Sequence, residues 1–577
     1  MKKKQFAELY TEEGEALAGG TPWESYPRPH LKRDSYLCLN GRWEFSVTKG
    51  GAVPAYSEEI NVPFVPQSIL SGIHRNVEKG DVLCYRRRFS LPSGFEKKRT
   101  RLHIGAADQK ARVCLNGSLL GEHVGGYDGF SFDLCDLNEG ENIIEIFVTD
   151  DGGTTLPYGK QREKRGGMWY TPVSGIWQTV WIESLPDVYV SDIKIKSRLD
   201  SADITFEMND GSRPDGELIL DDGQRFEINH GMATVTPKDP KHWTPDSPHL
   251  YFFTARIGED SIGSYFALRT LSIREVNGRP LICLNEKPIF FHGLLDQGYF
   301  SDGIFLPASP EGYERDVLAA KRFGFNMLRK HIKIEPELFY YACDRLGMIV
   351  FQDMVNNGDY SFLKDTALPT VGFRRRNDKR MHRDPTTRLE FLRGMEKTVS
   401  KLDFHPSVCY WTIFNEGWGQ FDHASAYRLL RSLDPTRPID SVSGWFSGKE
   451  TVSDVESLHV YFKEVKLTPS DRPIVLSEFG GYSYKVEDHS FNPHDNYGYG
   501  SFRSAEELES AITKLYTEQV LPSISRGLCG AVYTQLTDVE DETNGLLTYD
   551  RRVTKISENG ATKISEALFS EFKKLYC

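Results

Sequence analysis

The stretch CYWTIFNEGW, residues 409–418, joins a run of apolar, aromatic and β-branched residues to a polar pair and a glycine. Such a run predicts a buried strand that ends by presenting Asn415 and the carboxylate of Glu416. The pattern recurs in PIVLSEFG, residues 473–480, where an apolar run ends at Glu478. Two strands that each end in a glutamate predict two carboxylates facing each other at the mouth of a barrel.

The sequence around these two stretches predicts the rest of that barrel. From residue 277 onward, strand-like runs alternate with amphipathic helices, one ending at Gly324 and another at Gly347. The eight predicted strands are residues 289–294, 325–331, 348–353, 408–414, 439–442, 457–461, 473–477 and 531–535. Eight such units in residues 277–577 fit a catalytic (β/α)8 TIM barrel.

The sequence before the barrel predicts β-structure throughout. Short alternating runs separated by turn signals, such as Asn40-Gly41 and Asn116-Gly117, predict a jelly-roll β-sandwich over residues 1–185. Residues 186–276 have the size of an immunoglobulin-like β-sandwich. The predicted fold class is therefore multidomain, β followed by α/β. The polar, glycine-rich segment 150–170 interrupts the first sandwich and predicts either a functional loop or a plain surface loop.

Composition limits the partners that we expect. The 577 residues carry a net charge of −12, so the composition shows no excess of positive charge of the kind that binds nucleic acid. Nine cysteines occur singly, without Cys-x-x-Cys, and predict reduced thiols in a cytoplasmic protein. The basic residues 2–4 are not followed by an apolar segment, so no signal peptide is expected. No run of about 18 apolar residues occurs, so no membrane partner is predicted.

Polar residues at the predicted strand ends form a candidate active site, because strand ends of a barrel converge on one rim. One such residue alone is typical of an ordinary loop hydrogen bond, but nearly every strand contributes here. The predicted catalytic residues are Glu416 and Glu478, and the predicted substrate-binding residues are His292, Asp296, Arg329, His331, Asp353, Asn415, Trp445, His459, Tyr461 and Gln535. No metal ligand set and no cofactor are predicted.

Two carboxyl groups with different environments can cleave a glycosidic bond. If they lie about 5–5.5 Å apart, one acts as nucleophile and the anomeric configuration is retained. We expect Glu416 to be the acid/base, and Glu478 to be the nucleophile, kept ionised by Arg329 or Tyr461. A pair of buried salt-bridge partners is the purely structural alternative.

Five motifs resemble those of glycoside hydrolase family 2, which contains β-galactosidases, β-glucuronidases and β-mannosidases. These motifs are residues 174–178 (SGIWQ), 284–293 (LNEKPIFFHG), 328–331 (LRKH), 415–417 (NEG) and 477–480 (SEFG). The resemblance covers nearly the whole chain and implies a sugar-binding-like jelly roll, an immunoglobulin-like sandwich and a catalytic barrel. It also implies Glu416 as acid/base, Glu478 as nucleophile and Asn415 as the contact to the sugar 2-hydroxyl.

The resemblance does not specify the sugar. The glucuronide-cleaving branch carries Asn-x-Lys after strand eight, whereas Asn544 has no lysine two positions later. The surrounding residues 537–544 are acidic and would repel a carboxylate. Strand eight also carries Gln535 where several relatives have tryptophan. We therefore expect an exo-acting enzyme for a neutral β-hexoside in a small glycoside or oligosaccharide, with galactoside first and a glucuronide, arabinoside or mannoside as alternatives.

Two other hypotheses compete with a retaining glycosidase. A non-catalytic carbohydrate-binding homologue would be expected to lack one carboxylate, and both are present. A metal-dependent aldolase would need a His/Asp ligand cluster, and no His-x-His occurs. The resemblance further suggests a homo-oligomer, by analogy alone. The loops 354–383 and 482–499 are expected to shape the pocket.

Overall fold

The structure is a computed structural model of the chain, and it describes residues 6–17, 20–95, 97–370, 373, 377–444 and 451–577. Short strands alternate with turns in its first part. These strands are β1 (Leu37–Cys38), β2 (Gly41–Lys49), β3 (Glu58–Val62), β4 (Asp81–Phe89), β5 (Arg99–Ile104), β6 (Ala107–Asp108), β7 (Lys110–Leu115), β8 (Ser118–Val124), β9 (Phe130–Asp133), β10 (Asn142–Thr149), β11 (Gly175–Ile176) and β12 (Val180–Leu185).

Two antiparallel sheets face each other in this first part. Their strand orders are β3-β2-β4-β10-β7-β8 and β1-β12-β5-β9. Every second residue of β10 is buried, as expected for a strand with one face on a core. Apolar side chains from both sheets, such as Phe45, Ile104 and Ile182, form one core between them. The first part is therefore a β-sandwich.

The second part is a smaller sandwich with a separate core. Its strands are β13 (Val190–Ser197), β14 (Ala202–Met208), β15 (Gly216–Leu220), β16 (Arg225–Ile228), β17 (Met232–Val235), β18 (Tyr251–Ile257) and β19 (Asp260–Phe266). They form the sheets β13-β14-β17 and β16-β15-β18-β19, and seven strands match the size of an immunoglobulin-like unit. A small sheet leads into the third part: β20 (Leu271–Val276), β21 (Arg279–Leu284) and β22 (Lys287–Pro288).

The third part is built around eight parallel strands. These are β23 (Phe291–Asp296), β24 (Met327–Lys330), β25 (Ile349–Asp353), β26 (Val408–Asn415), β27 (Ile439–Ser443), β28 (Glu456–Val460), β29 (Ile474–Gly480) and, after the short pair β30 (Tyr482–Ser483) and β31 (Gly500–Ser501), β32 (Leu528–Thr534). The sheet order β27-β26-β25-β24-β23-β32-β29-β28 is that of a barrel. The eight predicted strands and the predicted fold class are confirmed.

Helices surround the barrel, and one more lies near the N-terminus. They are α1 (Glu12–Ala16), α2 (Glu311–Arg322), α3 (Glu337–Leu346), α4 (Leu368–Thr370), α5 (Pro385–Leu402), α6 (His423–Leu433), α7 (Ala505–Leu515), α8 (Leu521–Ile524) and α9 (Glu558–Tyr576). The longer helices follow local signals: Asp384 caps α5, and Gly347 ends α3 at a φ of +72°. None of the helices in the described ranges is long and apolar enough to cross a membrane.

The bounds of several strands differ from those that the sequence predicts. The apolar run of residues 175–183 is not one continuous strand: it is interrupted after β11, where the buried indole of Trp177 donates to the carbonyl of Gly126 at 2.7 Å. Strand β23 begins and ends two residues later than predicted, which moves His292 to its beginning. We propose unit boundaries at residues 1–185, 186–276 and 277–577, and the buried clusters of the two sandwiches and the barrel support this division.

Candidate active site

Strands β26 and β29 bring Glu416 and Glu478 together. Glu416 follows β26 directly, at a φ of +50°, and its backbone N–H donates to the carbonyl of Ser443 at 2.9 Å. Glu478 lies within β29. One carboxylate oxygen of each glutamate and one ring nitrogen of His459 all lie within 4.8 Å of one another. The two carboxylates therefore face each other at the carboxyl ends of the barrel strands.

Glu478 is held by a cation and a phenol. Nη1 of Arg329 donates to Oε1 of Glu478 at 3.0 Å, and the hydroxyl of Tyr461 donates to Oε2 at 2.5 Å. Burial acts to raise the pKa of Glu478, but His459 and Arg329 outweigh it and keep that pKa below its usual value. Burial raises the pKa of Tyr461 well above its usual range, so its hydroxyl stays a donor. Glu478 is thereby ionised at neutral pH.

Glu416 has a different set of neighbours. Its Oε1 lies 2.9 Å from Nδ1 of His459, and the same nitrogen lies 3.5 Å from Oε2 of Glu478. The other ring nitrogen of His459 lies 3.0 Å from the hydroxyl of Ser443. The imidazole thus stands between the two carboxylates, while the guanidinium of Arg329 contacts only Glu478 of the pair within the described residues. This asymmetry distinguishes the two carboxyl groups.

Arg329 also orients two more of the predicted site residues. Its Nη2 donates to Oδ1 of Asn415 at 2.8 Å, and its Nε donates to Oδ1 of Asp353 at 3.0 Å. Nδ2 of Asn415 is buried and has no hydrogen-bond partner within the described chain. The amide of Asn415 is consequently available to a ligand.

His331 bonds to the same aspartate as Arg329. Its Nδ1 lies 2.7 Å from Oδ2 of Asp353, and burial lowers the pKa of His331 to about 4, so the ring is neutral at pH 7.

Two predicted site residues lie at the carboxyl ends of strands but bond elsewhere. Nζ of Lys330 donates to Asp296 at 2.6 Å. Gln535 is fully buried, and its Nε2 donates to Oδ1 of Asn544 at 2.8 Å while its Oε1 accepts from Gln297 at 2.8 Å. Both side chains therefore support neighbouring groups, and neither bonds to the glutamate pair within the described chain.

His292 was wrongly placed at the rim by the sequence. It stacks on Phe325 with ring centroids 4.1 Å apart, and Tyr516 meets it edge-on at 5.4 Å. Burial lowers its pKa to about 3. The reason is the two-residue shift of β23, which puts His292 at the amino end of the strand, opposite the site. Trp445, also predicted to bind substrate, lies outside the described residues.

The first sandwich contributes residues that the sequence did not identify. Segment 154–170 crosses to the barrel, where Nζ of Lys160 lies 5.0 Å from the ring centroid of Trp418. The ring of Trp169 lies 5.2 Å from the same indole. The length and composition of segment 150–170 marked it as a candidate functional loop, but no sequence signal indicated that it reaches the barrel.

The two loops that were expected to shape the pocket also supply aromatic rings. Tyr360, from the loop after β25, meets Trp418 edge-on at 5.7 Å. Tyr499, from the loop after β29, stacks on Tyr461 with centroids 3.7 Å apart. The loops thus add aromatic rings beside Trp418 and Tyr461, and aromatic faces of this kind stack on sugar rings.

Within the described residues, one group of side chains could chelate a cation, namely Glu416, His459 and Glu478. The guanidinium of Arg329 already lies 3.0 Å from Glu478 and would repel a metal ion. A paired acid and base explains this donor set better than a metal centre does.

Comparison with known proteins agrees with this architecture. Residues 275–483 match the family model described as glycosyl hydrolases family 2, TIM barrel domain. A β-galactosidase of Aeromonas hydrophila is 26% identical over 63% of this chain and 36% of its own length. A β-galactosidase of Thermoanaerobacter pseudethanolicus is 21% identical over 75% of this chain and 58% of its own length. The chain thus spans between about a third and three fifths of the length of these relatives.

Solved structures with the same fold cover the chain almost completely. A β-D-glucuronidase from Dictyoglomus thermophilum has a TM-score of 0.71 at 21% identity, over 94% of this chain and 98% of its own. A β-galacturonidase from Eisenbergiella tayi, bound to galacturonate, has a TM-score of 0.66 at 19% identity, over 94% and 98%. At this identity the structures establish the fold. The family model places the barrel region, residues 275–483, with the TIM barrel domain of glycosyl hydrolases family 2, and the sequence relatives agree with this placement.

Proposed function

We propose that the protein is a retaining, exo-acting β-glycosidase that hydrolyses the O-glycosidic bond of a small glycoside or oligosaccharide. The observation that carries this proposal is the pair Glu416 and Glu478, with carboxylate oxygens no more than 4.8 Å apart. This spacing is close to the roughly 5–5.5 Å of retaining enzymes and shorter than the roughly 6.5–9.5 Å that an inverting water requires.

The reaction takes two steps with these two groups. In the first step, a carboxylate oxygen of Glu478 forms a bond to the anomeric carbon while the bond to the leaving oxygen breaks. Glu416 donates its proton to that oxygen, so the aglycone leaves as a neutral alcohol. In the second step, Glu416 takes a proton from water as the water oxygen bonds to the anomeric carbon. Glu478 then departs as a carboxylate, and the anomeric configuration is retained.

Neighbouring side chains support these roles. Arg329 and Tyr461 stabilise the ionised form of Glu478 before the attack and after its departure. The unpaired Nδ2 of Asn415 is suited to the sugar 2-hydroxyl, the contact that the family resemblance implies. The aromatic rings of Trp418 and Tyr499 provide faces for the sugar and the aglycone.

A neutral β-hexoside, with β-galactoside first, is the substrate that we propose. Relatives named β-galactosidase among the sequence matches support this choice, whereas β-glucuronidases and a β-galacturonidase among the solved structures keep uronides as the alternative. We also propose a cytoplasmic location, which the nine free cysteines support. Self-association into a homo-oligomer remains a prediction, which light scattering of the purified protein tests.

Replacing either glutamate tests the proposed reaction. Glu416→Gln and Glu478→Gln should each lower kcat on 4-nitrophenyl β-glycosides by about 10³-fold or more, because each removes a group that acts in the transition state. Release of nitrophenol by wild-type protein is measured first on galactoside, glucoside, glucuronide, mannoside and arabinoside.

The exposed Glu396 on α5 provides a matched control, and Glu396→Gln should leave the rate unchanged. Circular dichroism confirms that each variant is folded. Wild-type rates in either site variant would refute the assigned roles. Sugar binding without turnover on any glycoside would instead favour the non-catalytic homologue.

A further inference from the structure

The backbone around Lys160 is fixed against the barrel. The N–H of Tyr158 donates to the carbonyl of Asn356 at 3.0 Å, and the carbonyl of Lys160 accepts from the N–H of Tyr170 at 3.0 Å. Gly159 has a φ of +70°, and a Cβ there would lie 2.7 Å from the carbonyl oxygen of Ile332. A segment of the first sandwich is thus held in close contact with the end of β24, with Lys160 in a defined position.

The ammonium of Lys160 is buried but has no anionic partner within the described ranges. The residue is 5% exposed, and its Nζ lies 5.0 Å from the ring of Trp418 and 5.8 Å from the ring of Tyr170. Aromatic faces attract a cation but accept no strong hydrogen bond from it. Its three N–H donors are therefore available, next to an indole only two residues from Glu416.

A third buried carboxylate, that of Glu542, is linked to Lys160 through Tyr170. The hydroxyl of Tyr170 donates to its Oε2, and Nδ2 of Asn544 donates to its Oε1 at 3.1 Å. The ring of the same Tyr170 lies 5.8 Å from Nζ of Lys160, so one tyrosine contacts both the ammonium and the carboxylate. The charge of Lys160 opposes the rise in the pKa of Glu542 that burial causes, in agreement with this arrangement.

We propose that Lys160 and Glu542 form a specificity pair that recognises neighbouring hydroxyl groups of a neutral sugar. An ammonium only donates hydrogen bonds and a carboxylate only accepts them, whereas each sugar hydroxyl can do both. Two adjacent hydroxyls can accept from Lys160 and donate to Glu542 at the same time. This inference rests on the proposed glycosidase function and extends it to the class of sugar.

The same pair disfavours a uronide. The carboxylate of a uronic acid held by Lys160 would also lie near the negative charge of Glu542, which would repel it, while the guanidinium of Arg329 is already paired with Glu478. A hydroxymethyl or methyl group at that position brings no charge. The recognised class is therefore a neutral pyranoside, in contrast to the uronides named for several proteins of the same fold.

Substrate and enzyme are changed together to test this pair. Wild-type, Lys160→Met and Glu542→Gln proteins are compared on the 4-nitrophenyl β-galactoside, its 4-deoxy and 6-deoxy analogues, the β-glucuronide and the β-galacturonide. Each variant should lower kcat/KM for the galactoside by about 100-fold, since each removes a charge-assisted hydrogen bond. The loss should fall below about tenfold on the deoxy analogue that lacks the recognised hydroxyl.

Glu542→Gln should also lower the ratio of kcat/KM for the galactoside to kcat/KM for the uronides by about tenfold, because it removes one charge that repels the uronide carboxylate. Lys164, exposed in the same segment, provides the matched control, and Lys164→Met should leave every kcat/KM unchanged. Thermal unfolding of each variant shows whether the fold is retained.

Equal losses on the galactoside and on both deoxy analogues would overturn the inference, because they indicate a structural role. A wild-type preference for uronides would overturn it as well, while leaving the glycosidase function standing. If wild-type protein cleaves no member of the panel, the proposed function fails and the inference fails with it.

Discussion

Besides His459, two side chains that lie far apart in the sequence stabilise the charge of Glu478. Arg329 supplies a positive charge and Tyr461 supplies a neutral hydrogen-bond donor, one to each carboxylate oxygen. Both favour the ionised carboxylate over its protonated form, so they lower the pKa of Glu478 against the opposing effect of burial. Glu478, the proposed nucleophile, is consequently ionised at a pH where an ordinary buried carboxyl would carry a proton.

Tyr461→Phe should shift the acidic limb of the pH–activity profile to higher pH. Loss of the donor destabilises the carboxylate and raises the pKa of Glu478, so activity is lost at a higher pH as the pH falls. We expect a displacement of about one pH unit in kcat/KM, which reports the free enzyme. Tyr482→Phe is the control, because its backbone and not its hydroxyl is bonded to Tyr533. An unchanged acidic limb would contradict this account of Glu478.

At the level of the strand, β12 shows how the first sandwich holds the segment that precedes it. Glu183 is completely buried, and both of its oxygens lie 2.8 Å from Nη2 of Arg28. The indole of Trp181 donates to Oε1 at 3.0 Å, and the hydroxyl of Tyr26 donates to it at 2.5 Å. Burial opposes ionisation, but the charges of Arg28 and His103 keep the pKa of Glu183 well below its usual range.

Glu183→Gln should destabilise the sandwich in a pH-dependent way. Removing one partner leaves a buried charge uncompensated, and the free energy of unfolding should fall by about 3 kcal/mol at pH 7. A carboxyl with a lowered folded-state pKa stabilises the protein above its unfolded value near 4.5, and this contribution is lost as the pH falls. Urea unfolding at pH 7 and pH 4 measures both effects. A difference that grows toward pH 4 would contradict this interpretation.

At the scale of the whole molecule, the site is shared between the barrel and the first sandwich. Segment 154–170 bonds to the end of β25 through Tyr158 and Asn356, and to the loop after β32 through Arg165 and Glu540. These two attachments lie on either side of Lys160. The sandwich is therefore part of the pocket wall, and its position relative to the barrel affects the geometry of the site.

Gly159→Ala should lower activity without unfolding the protein. The added methyl group would meet the carbonyl of Ile332 at 2.7 Å, so the segment must move away from the barrel and take Lys160 with it. A displacement of this size should reduce kcat/KM by about 100-fold. Gly152→Ala is the matched control, since Gly152 also has a positive φ but faces open space. Equal effects of both substitutions on kcat/KM would show that backbone strain, and not displacement, is responsible.

The sequence predicted the strands and helices more accurately than the contacts between their side chains. Eight barrel strands were recognisable because each is a short apolar run between helical patterns, and Gly324 and Gly347 indicated where helices end. His292 was misplaced because a shift of two residues moves a side chain from one end of a strand to the other. The roles assigned to Glu416 and Glu478 remain predictions, which the proximity of their carboxylates supports.

What the sequence by itself determined was the order of strands and helices and the two glutamates at strand ends. These features depend on periodicity, capping and turn residues, which act over a few neighbouring positions. Only the tertiary structure decided that Lys160 and Glu542, 382 positions apart in the chain, contact the same side chain, Tyr170. Contacts between a sandwich loop and a barrel loop depend on how whole units pack, and no local pattern around either residue encodes that packing.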